Sequence, residues 1–360
     1  MKKYYVQHIA EIYQKNVCNT PPTKVHDRFL YGLDMEQFTN GFTALAALMR
    51  QLFSEIARDP ASFGMTLKEI TDTNAKTSYY TGSGASLLRV PNLLYILGAK
   101  SELQADMSLV IDGGVLADTA KQLKITGLPL LLSKLRECGF DVSDFGKAPK
   151  AADRISVSYI DNRYLTVALK AMAEALYELS KGDLRNSNND YFYMMHGGLL
   201  ENETVKEPKL TVDFIYHVLD PIRRSHAEAL HKTVENATKQ NIRKSLMRNN
   251  WTNTYTNTKN KKVLMSLLIE QDELSVKLNL QNITMYAPLI KELPEKMQNV
   301  IFNGGWDCGR DNCNPRCSGG FAFEIDGKAY DKCHCGSFVF NRLTDEDVAY
   351  CQKLLEQELA

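Results

Sequence analysis

WDCGRDNCNPRCSGGFAFEIDGKAYDKCHCGSFVF, residues 306–340, holds five of the chain's eight cysteines: Cys308, Cys313, Cys317, Cys333 and Cys335. Within it Phe321, Phe323 and Ile325 alternate with Ala322 and Glu324, the period of a half-buried strand. Asp326-Gly327 follows, a dipeptide suited to a two-residue hairpin turn whose central residues both take positive φ. Pairing Ile325 with Lys328 sets the register, so that Cys333 falls opposite Gly320 and Cys335 opposite Ser318. Residues two apart on a strand share a face, which points Cys333 and Cys335 one way and His334 the other. Cys317 then sits at the base of the opposite arm, and Gly319 and Gly320 remove bulk where sulfurs would crowd. The hairpin alone brings three thiols together.

Cys308 and Cys313 arrive from a loop containing Gly304, Gly305, Gly309, Asn312, Asn314 and Pro315, residues that permit tight reversals. Zinc takes four soft donors in a tetrahedron, with thiolates at about 2.3 Å. The pattern predicts a structural zinc ion, held by Cys313, Cys317, Cys333 and Cys335, with Cys308 replacing one of them or standing apart. The spacings are not the paired CxxC of zinc ribbons, nor those of iron–sulfur proteins. Asp307, Asp311 and Asp331 crowd the stretch, and acidic neighbours raise a thiol pKa, which argues against redox or nucleophilic cysteines.

The chain of 360 residues is long enough for two or three domains. Its 43 basic and 43 acidic side chains cancel, so no global field draws in nucleic acid or membrane. No apolar run approaches the roughly 20 residues of a membrane span, so no membrane partner is expected. MKKYYVQHIAEIYQKN at the amino terminus is broken by charges and lacks the apolar core of a signal peptide. The cytoplasm is the expected compartment, and its reducing conditions disfavour disulfides.

The fold class predicted is α+β: a helix-rich amino-terminal part with a small sheet (1–205), a helical, basic connector (206–260) and a small α+β domain with the cysteine-rich hairpin (261–360). In the first part helices are predicted over 9–13, 35–58, 83–98, 128–138 and 165–179, with short strands over 140–142 and 155–159. A winged-helix module would use similar elements, but no basic recognition helix can be picked out. His196-Gly197-Gly198 lacks an accompanying G-x-S-x-G elbow and reads as a turn rather than an oxyanion loop.

In the connector, 214–230 and 234–247 are predicted to be helical. Between 223 and 262 ten basic residues face only Glu228 and Glu235. Arg243, Lys244, Arg248, Lys259, Lys261 and Lys262, with Trp251 and Tyr255 beside them, form a candidate nucleic-acid contact, since basic side chains hold phosphates and aromatic rings stack on bases. The plainer alternative is a solvated helix face and a polar loop.

The last domain is predicted as strands over 263–269 and 274–280, a helix opened by Leu293-Pro294-Glu295, the hairpin, and a final helix over 348–359 capped by Thr344 and its acidic neighbours. This order, with the LPEKM helix (293–297) and the closing TDEDVAYCQKLL helix (344–355), resembles the small bacterial α+β domains grouped as YdhG-like. The resemblance implies a compact fold and no assigned chemistry, and the cysteine loop departs from the family pattern. The functional expectation is an accessory or regulatory protein with a structural zinc site, binding a macromolecule or a small ligand. A nucleic-acid-binding regulator and a cysteine- or zinc-dependent enzyme are the alternatives, and the absence of a Glu–His pair near the thiols leans away from an enzyme.

Overall fold

In a computed structural model the chain divides into two units, Met1–Lys209 and Leu210–Ala360. The structure describes residues 4–18, 20–70, 83–145, 148–185, 189–245, 250–270, 273–304, 320–325, 327–333 and 337–360. It is α+β, as the sequence predicts. Among the described residues no helix is long and apolar enough to cross a membrane.

The first unit opens with α1 (Tyr5–Asn16), α2 (Asp27–Leu30) and α3 (Met35–Arg58). α3 spans the predicted residues: Phe38, Phe42, Leu45, Met49, Leu52 and Phe53 recur at helical spacing and are buried. Asp34 and Gln37 form a capping box at its start, and Asp59-Pro60 stops it. There follow α4 (Ser83–Leu87), α5 (Arg89–Lys100), β1 (Glu102–Leu103), β2 (Leu109–Ile111), α6 (Gly113–Gln122), α7 (Leu128–Glu137), β3 (Phe140–Val142), β4 (Ile155–Tyr159), α8 (Tyr164–Leu179) and α9 (Asp190–Tyr193). The strands form one antiparallel sheet in the order β1-β2-β4-β3. The short β1 and β2, and α6 after them, are additions to the predicted pair of strands.

α8 is the centre of this unit and packs on both α3 and α5. Two glycines allow that. A Cβ on Gly41 of α3 would lie 2.2 Å from the Tyr164 carbonyl oxygen, and one on Gly98 of α5 would lie 2.5 Å from the Ala173 Cβ. Any side chain there would force the helices apart.

Arg89, at the start of α5, is 7 % exposed. Nε donates to the Ser86 carbonyl at 2.9 Å, Nη1 to the Thr126 carbonyl at 2.9 Å and its hydroxyl at 2.8 Å, and Nη2 to the carbonyls of Phe63 at 3.2 Å and Gly64 at 2.7 Å. Oxygen dipoles thus replace both water and a counter-ion, and three chain segments are tied to one side chain.

The second unit contains α10 (Val212–Tyr216), α11 (Pro221–Val234), β5 (Thr238–Ser245), β6 (Asn250–Asn257), β7 (Val263–Glu270), β8 (Glu273–Leu278), α12 (Ala287–Glu292), α13 (Glu295–Asn303), β9 (Gly320–Ile325), β10 (Lys328–Cys333), β11 (Phe338–Asn341) and α14 (Asp345–Leu359). A five-stranded antiparallel sheet runs β11-β8-β7-β6-β5, and β9 and β10 form a separate ribbon. The inner face of the sheet buries Trp251, Tyr255, Met265, Leu267, Val276, Leu278 and Phe338. α11 contacts β8 and α14, burying Ala227, Leu230 and Val234 against the same core as Cys351 and Leu354.

This corrects the helical connector. The helix predicted over 234–247 is β5, and 250–257 is its partner, so residues 238–257 belong to the same sheet as β7 and β8. Lysine, glutamine and arginine favour a helix over 239–244, but pairing with the period-2 pattern WTNTYTN overrides that preference. The helix predicted over 214–230 breaks at Asp220-Pro221, where Asp220 caps α11. The cysteine hairpin keeps its predicted register, with Ile325 paired to Lys328 and Cys333 to Gly320.

Arg89→Met is expected to destabilise the first unit by about 3 kcal/mol, because several buried carbonyls lose their donor at once. Arg89→Lys should fall between the variant and the parent protein in urea unfolding of the full chain. A loss below about 0.5 kcal/mol, the range of an ordinary surface change, would show that the oxygens find other partners.

Candidate functional site

Of the predicted zinc ligands, Cys333 is described: it ends β10 and is 6 % exposed. Cys308, Cys313, Cys317 and Cys335 lie outside the described residues. Among the described residues no group of three or more His, Cys, Asp or Glu side chains is placed to hold a metal ion.

Among the described residues, the aromatic members of the candidate nucleic-acid contact are buried. Trp251 and Tyr255 are 1 % and 0 % exposed on the inner face of the sheet, where no base can stack on them. Arg243 pairs with Thr252, the neighbour of Trp251 on the opposite face of β6, so the guanidinium and the rings point to different sides of the sheet. Lys244 sits opposite Trp251 in the register, Arg248 lies outside the described residues, and Lys259 and Lys261 are exposed at the β6–β7 turn. Lys262 instead borders a small polar recess with Asn257 and the buried Glu358.

Tyr255 has a different task. Its hydroxyl accepts a hydrogen bond from Asn253 Nδ2 at 2.7 Å and meets the Tyr216 hydroxyl at 3.1 Å and His231 Nδ1 at 3.0 Å, while His231 Nε2 lies 3.4 Å from a Glu235 carboxylate oxygen. Burial first, then the neighbouring Tyr216, push the Tyr255 pKa far up, so the phenol stays protonated. With one proton and two lone pairs, the hydroxyl is fully used by these three partners.

A better-formed site lies elsewhere in the second unit. The start of α11, the start of β8 and the turn between β11 and α14 enclose a cleft of about 340 Å³, at the lower end of the range for small-molecule sites. Asp220 accepts the Arg223 backbone N–H at 2.8 Å, and the Arg223 guanidinium pairs with Asp220 and with Glu273, the latter at 3.0 Å. The backbone N–H, followed by the guanidinium, holds Asp220 below the usual carboxylate range.

His226, 5 % exposed, also lines the cleft. Its Nε2 lies 2.6 Å from an Asp345 carboxylate oxygen in the first turn of α14. An ionised carboxylate only accepts, so Nε2 carries the ring proton and Nδ1 is the basic nitrogen. α14 is fixed there by Thr344, whose hydroxyl accepts the Asp347 N–H, and by the ion pair between Asp347 and Lys296. Burial alone would raise the Asp347 carboxyl; Lys296 and Thr344 outweigh it and hold the pKa down.

Arg342 completes the cleft from a left-handed backbone position, φ +51°. Arg223 bridges two carboxylates, Asp220 and Glu273, so these three sum to one negative charge, and among the described residues the Arg342 guanidinium is the cleft charge without a carboxylate partner. Arg342 and the His226 imidazole are the groups of this cleft that could meet an anion.

No family model, no curated protein and no solved structure matches the chain. Residue roles here therefore rest on geometry alone. His226 and Arg342 escape sequence reasoning because they lie more than a hundred residues apart and belong to no spaced motif. The one available signal, acidic Asp345 beside Thr344, reads as helix capping.

Tyr255→Phe is expected to lower the stability of the second unit by about 2 kcal/mol, since it leaves buried polar partners unsatisfied. Arg243→Ala should change it by less than about 0.5 kcal/mol. Chemical unfolding of both variants checks the pair. Equal effects would return Tyr255 to the status of a surface residue.

Proposed function

We propose that the chain is a cytosolic ligand-binding accessory protein, taking a small anion in the His226–Arg342 cleft, with its cysteine ribbon fastened by a structural zinc ion. The observation that carries the first part is the Arg342 guanidinium, uncommitted among the described residues and placed beside an imidazole oriented by a carboxylate. Arginine presents a planar fork of donors that suits a carboxylate or phosphate, and Nδ1 of His226 adds a donor once protonated. Ile222, 66 % exposed, and Leu274 supply apolar walls for the rest of a small molecule.

The zinc reading is supported by the ribbon's register, which sets Cys333 opposite Gly320. A two-stranded ribbon is marginal in water, and a metal supplies on the order of 10 kcal/mol to such elements.

Titration calorimetry of the full chain with inorganic phosphate and small carboxylates is expected to give saturable binding to at least one of them. Arg342→Ala should weaken it tenfold or more, and Arg342→Lys less. Absence of saturable heat, or an unchanged affinity in Arg342→Ala, refutes the anion site. Elemental analysis of protein purified without chelator should give one zinc per chain, reduced by Cys333→Ser. Metal-free protein with a native circular-dichroism spectrum refutes the zinc.

A further inference from the structure

The first unit carries a second and larger cleft, of about 630 Å³, between the carboxyl ends of α5, α6 and α8. We infer that it is a binding site for a small diphosphate, formed by Lys100, Lys181 and Arg185 around the hydroxyl of Thr119.

Three cations face a single carboxylate, Asp183, in a chain whose formal net charge is zero. Each cation keeps donors to spare. Lys100 Nζ donates to the Tyr177 hydroxyl at 2.8 Å and lies 4.0 Å from that ring's centroid, leaving two ammonium N–H groups. Arg185 Nε donates to Asp183 at 3.2 Å, and among the described residues its terminal nitrogens make no hydrogen bond. Lys181 makes no ion pair or hydrogen bond through its ammonium among the described residues.

Cations at helix carboxyl ends have an ordinary explanation, compensation of the negative end of the helix. Here several of those carbonyls are closed from within. At α8, Lys181 N–H donates to Glu178 and Gly182 N–H to Tyr177; at α6, Leu123, Lys124 and Ile125 N–H groups donate to Thr119, Lys121 and Ala120. The Ser101 carbonyl just past α5 takes Lys170 Nζ.

Thr119 is the second, independent observation. It is 6 % exposed and lines the cleft, yet its hydroxyl makes no hydrogen bond among the described residues. Threonines in helices commonly satisfy this group on the preceding turn, as Thr233 does on the Ala229 carbonyl. A polar hydroxyl at the floor beneath three cations fits an anion with several acceptor oxygens. A single carboxylate would leave most of these donors unused, whereas two linked phosphates can face all three helix ends, and lysine suits phosphate as a point charge.

Calorimetric titration of the full chain with inorganic pyrophosphate is expected to show one saturable site that weakens between 0.1 and about 1 M salt, as the screening length contracts from about 10 Å to 3 Å. Lys181→Ala and Arg185→Ala should each reduce affinity about tenfold, and Thr119→Val should reduce it without changing the salt dependence. The titrations are made in Arg342→Ala protein, in which the other unit's anion cleft is disabled, so that the heat reports this cleft alone. The inference falls if no saturable binding occurs, or if adding the Lys181→Ala/Arg185→Ala pair leaves binding as it is in the Arg342→Ala protein. Failure of phosphate or carboxylate to occupy the His226–Arg342 cleft leaves this outcome unaffected, because the two sites respond to different substitutions.

Discussion

A guanidinium held in the interior, with no counter-ion among the described residues, is the constraint on which the first unit rests. Moving an ion of that size out of water costs several kcal/mol even after the surroundings relax. Arg89 recovers this from oxygens on three separate segments, around residues 63–64, 86 and 126. These oxygens lie at the end of a short 3-10 turn, in the last turn of α4 and in the loop between α6 and α7, where carbonyls commonly lack a helical partner. The arrangement is mutual: the loops have no other shared donor, and the charge has no other solvent. With the start of α5 pinned in this way, its far end reaches the β1 side of the sheet, and Gly98 lets it settle against α8.

The second unit solves a different problem. Five antiparallel strands present one apolar face, and α11 and α14 cover the core on that side. Covering helices bring their ends to the rim of the sheet, and there the His226–Asp345 pair and Arg342 meet. The cleft is therefore a by-product of how helices of this length cap a sheet, furnished with charged residues at the rim. The buried Asn253–Tyr255–Tyr216 group works on the opposite principle. It places polar atoms in the core and joins three of their partners at the Tyr255 hydroxyl, which ties α10, α11 and β6 together, while Asn253 Oδ1 has no partner among the described residues.

Legibility in the sequence follows the range of the interaction responsible. α3 can be read to the residue because its apolar spacing, its Asp34 cap and its Asp59-Pro60 stop are all local. The cysteine hairpin can be read in register for the same reason: Asp326-Gly327 decides the turn, and counting does the rest. β5 cannot, since Thr238–Ser245 has the composition of an exposed helix and becomes a strand only through its neighbour β6. The aromatic pair Trp251 and Tyr255 looked like a stacking surface because composition carries no information about which face of a strand is covered; the alternation with Thr252, Thr254 and Thr256 did carry it. Both clefts join residues distant along the chain, and no pattern of spacing foretells such a meeting.

Arg342 carries a tension of its own. A left-handed backbone conformation costs a residue with a side chain on the order of 1 kcal/mol or more, and glycine would occupy the same position without that cost. Thermodynamic comfort and chemical usefulness thus pull against each other at one point of the chain. A glycine there would give a sturdier molecule with nothing to offer an anion.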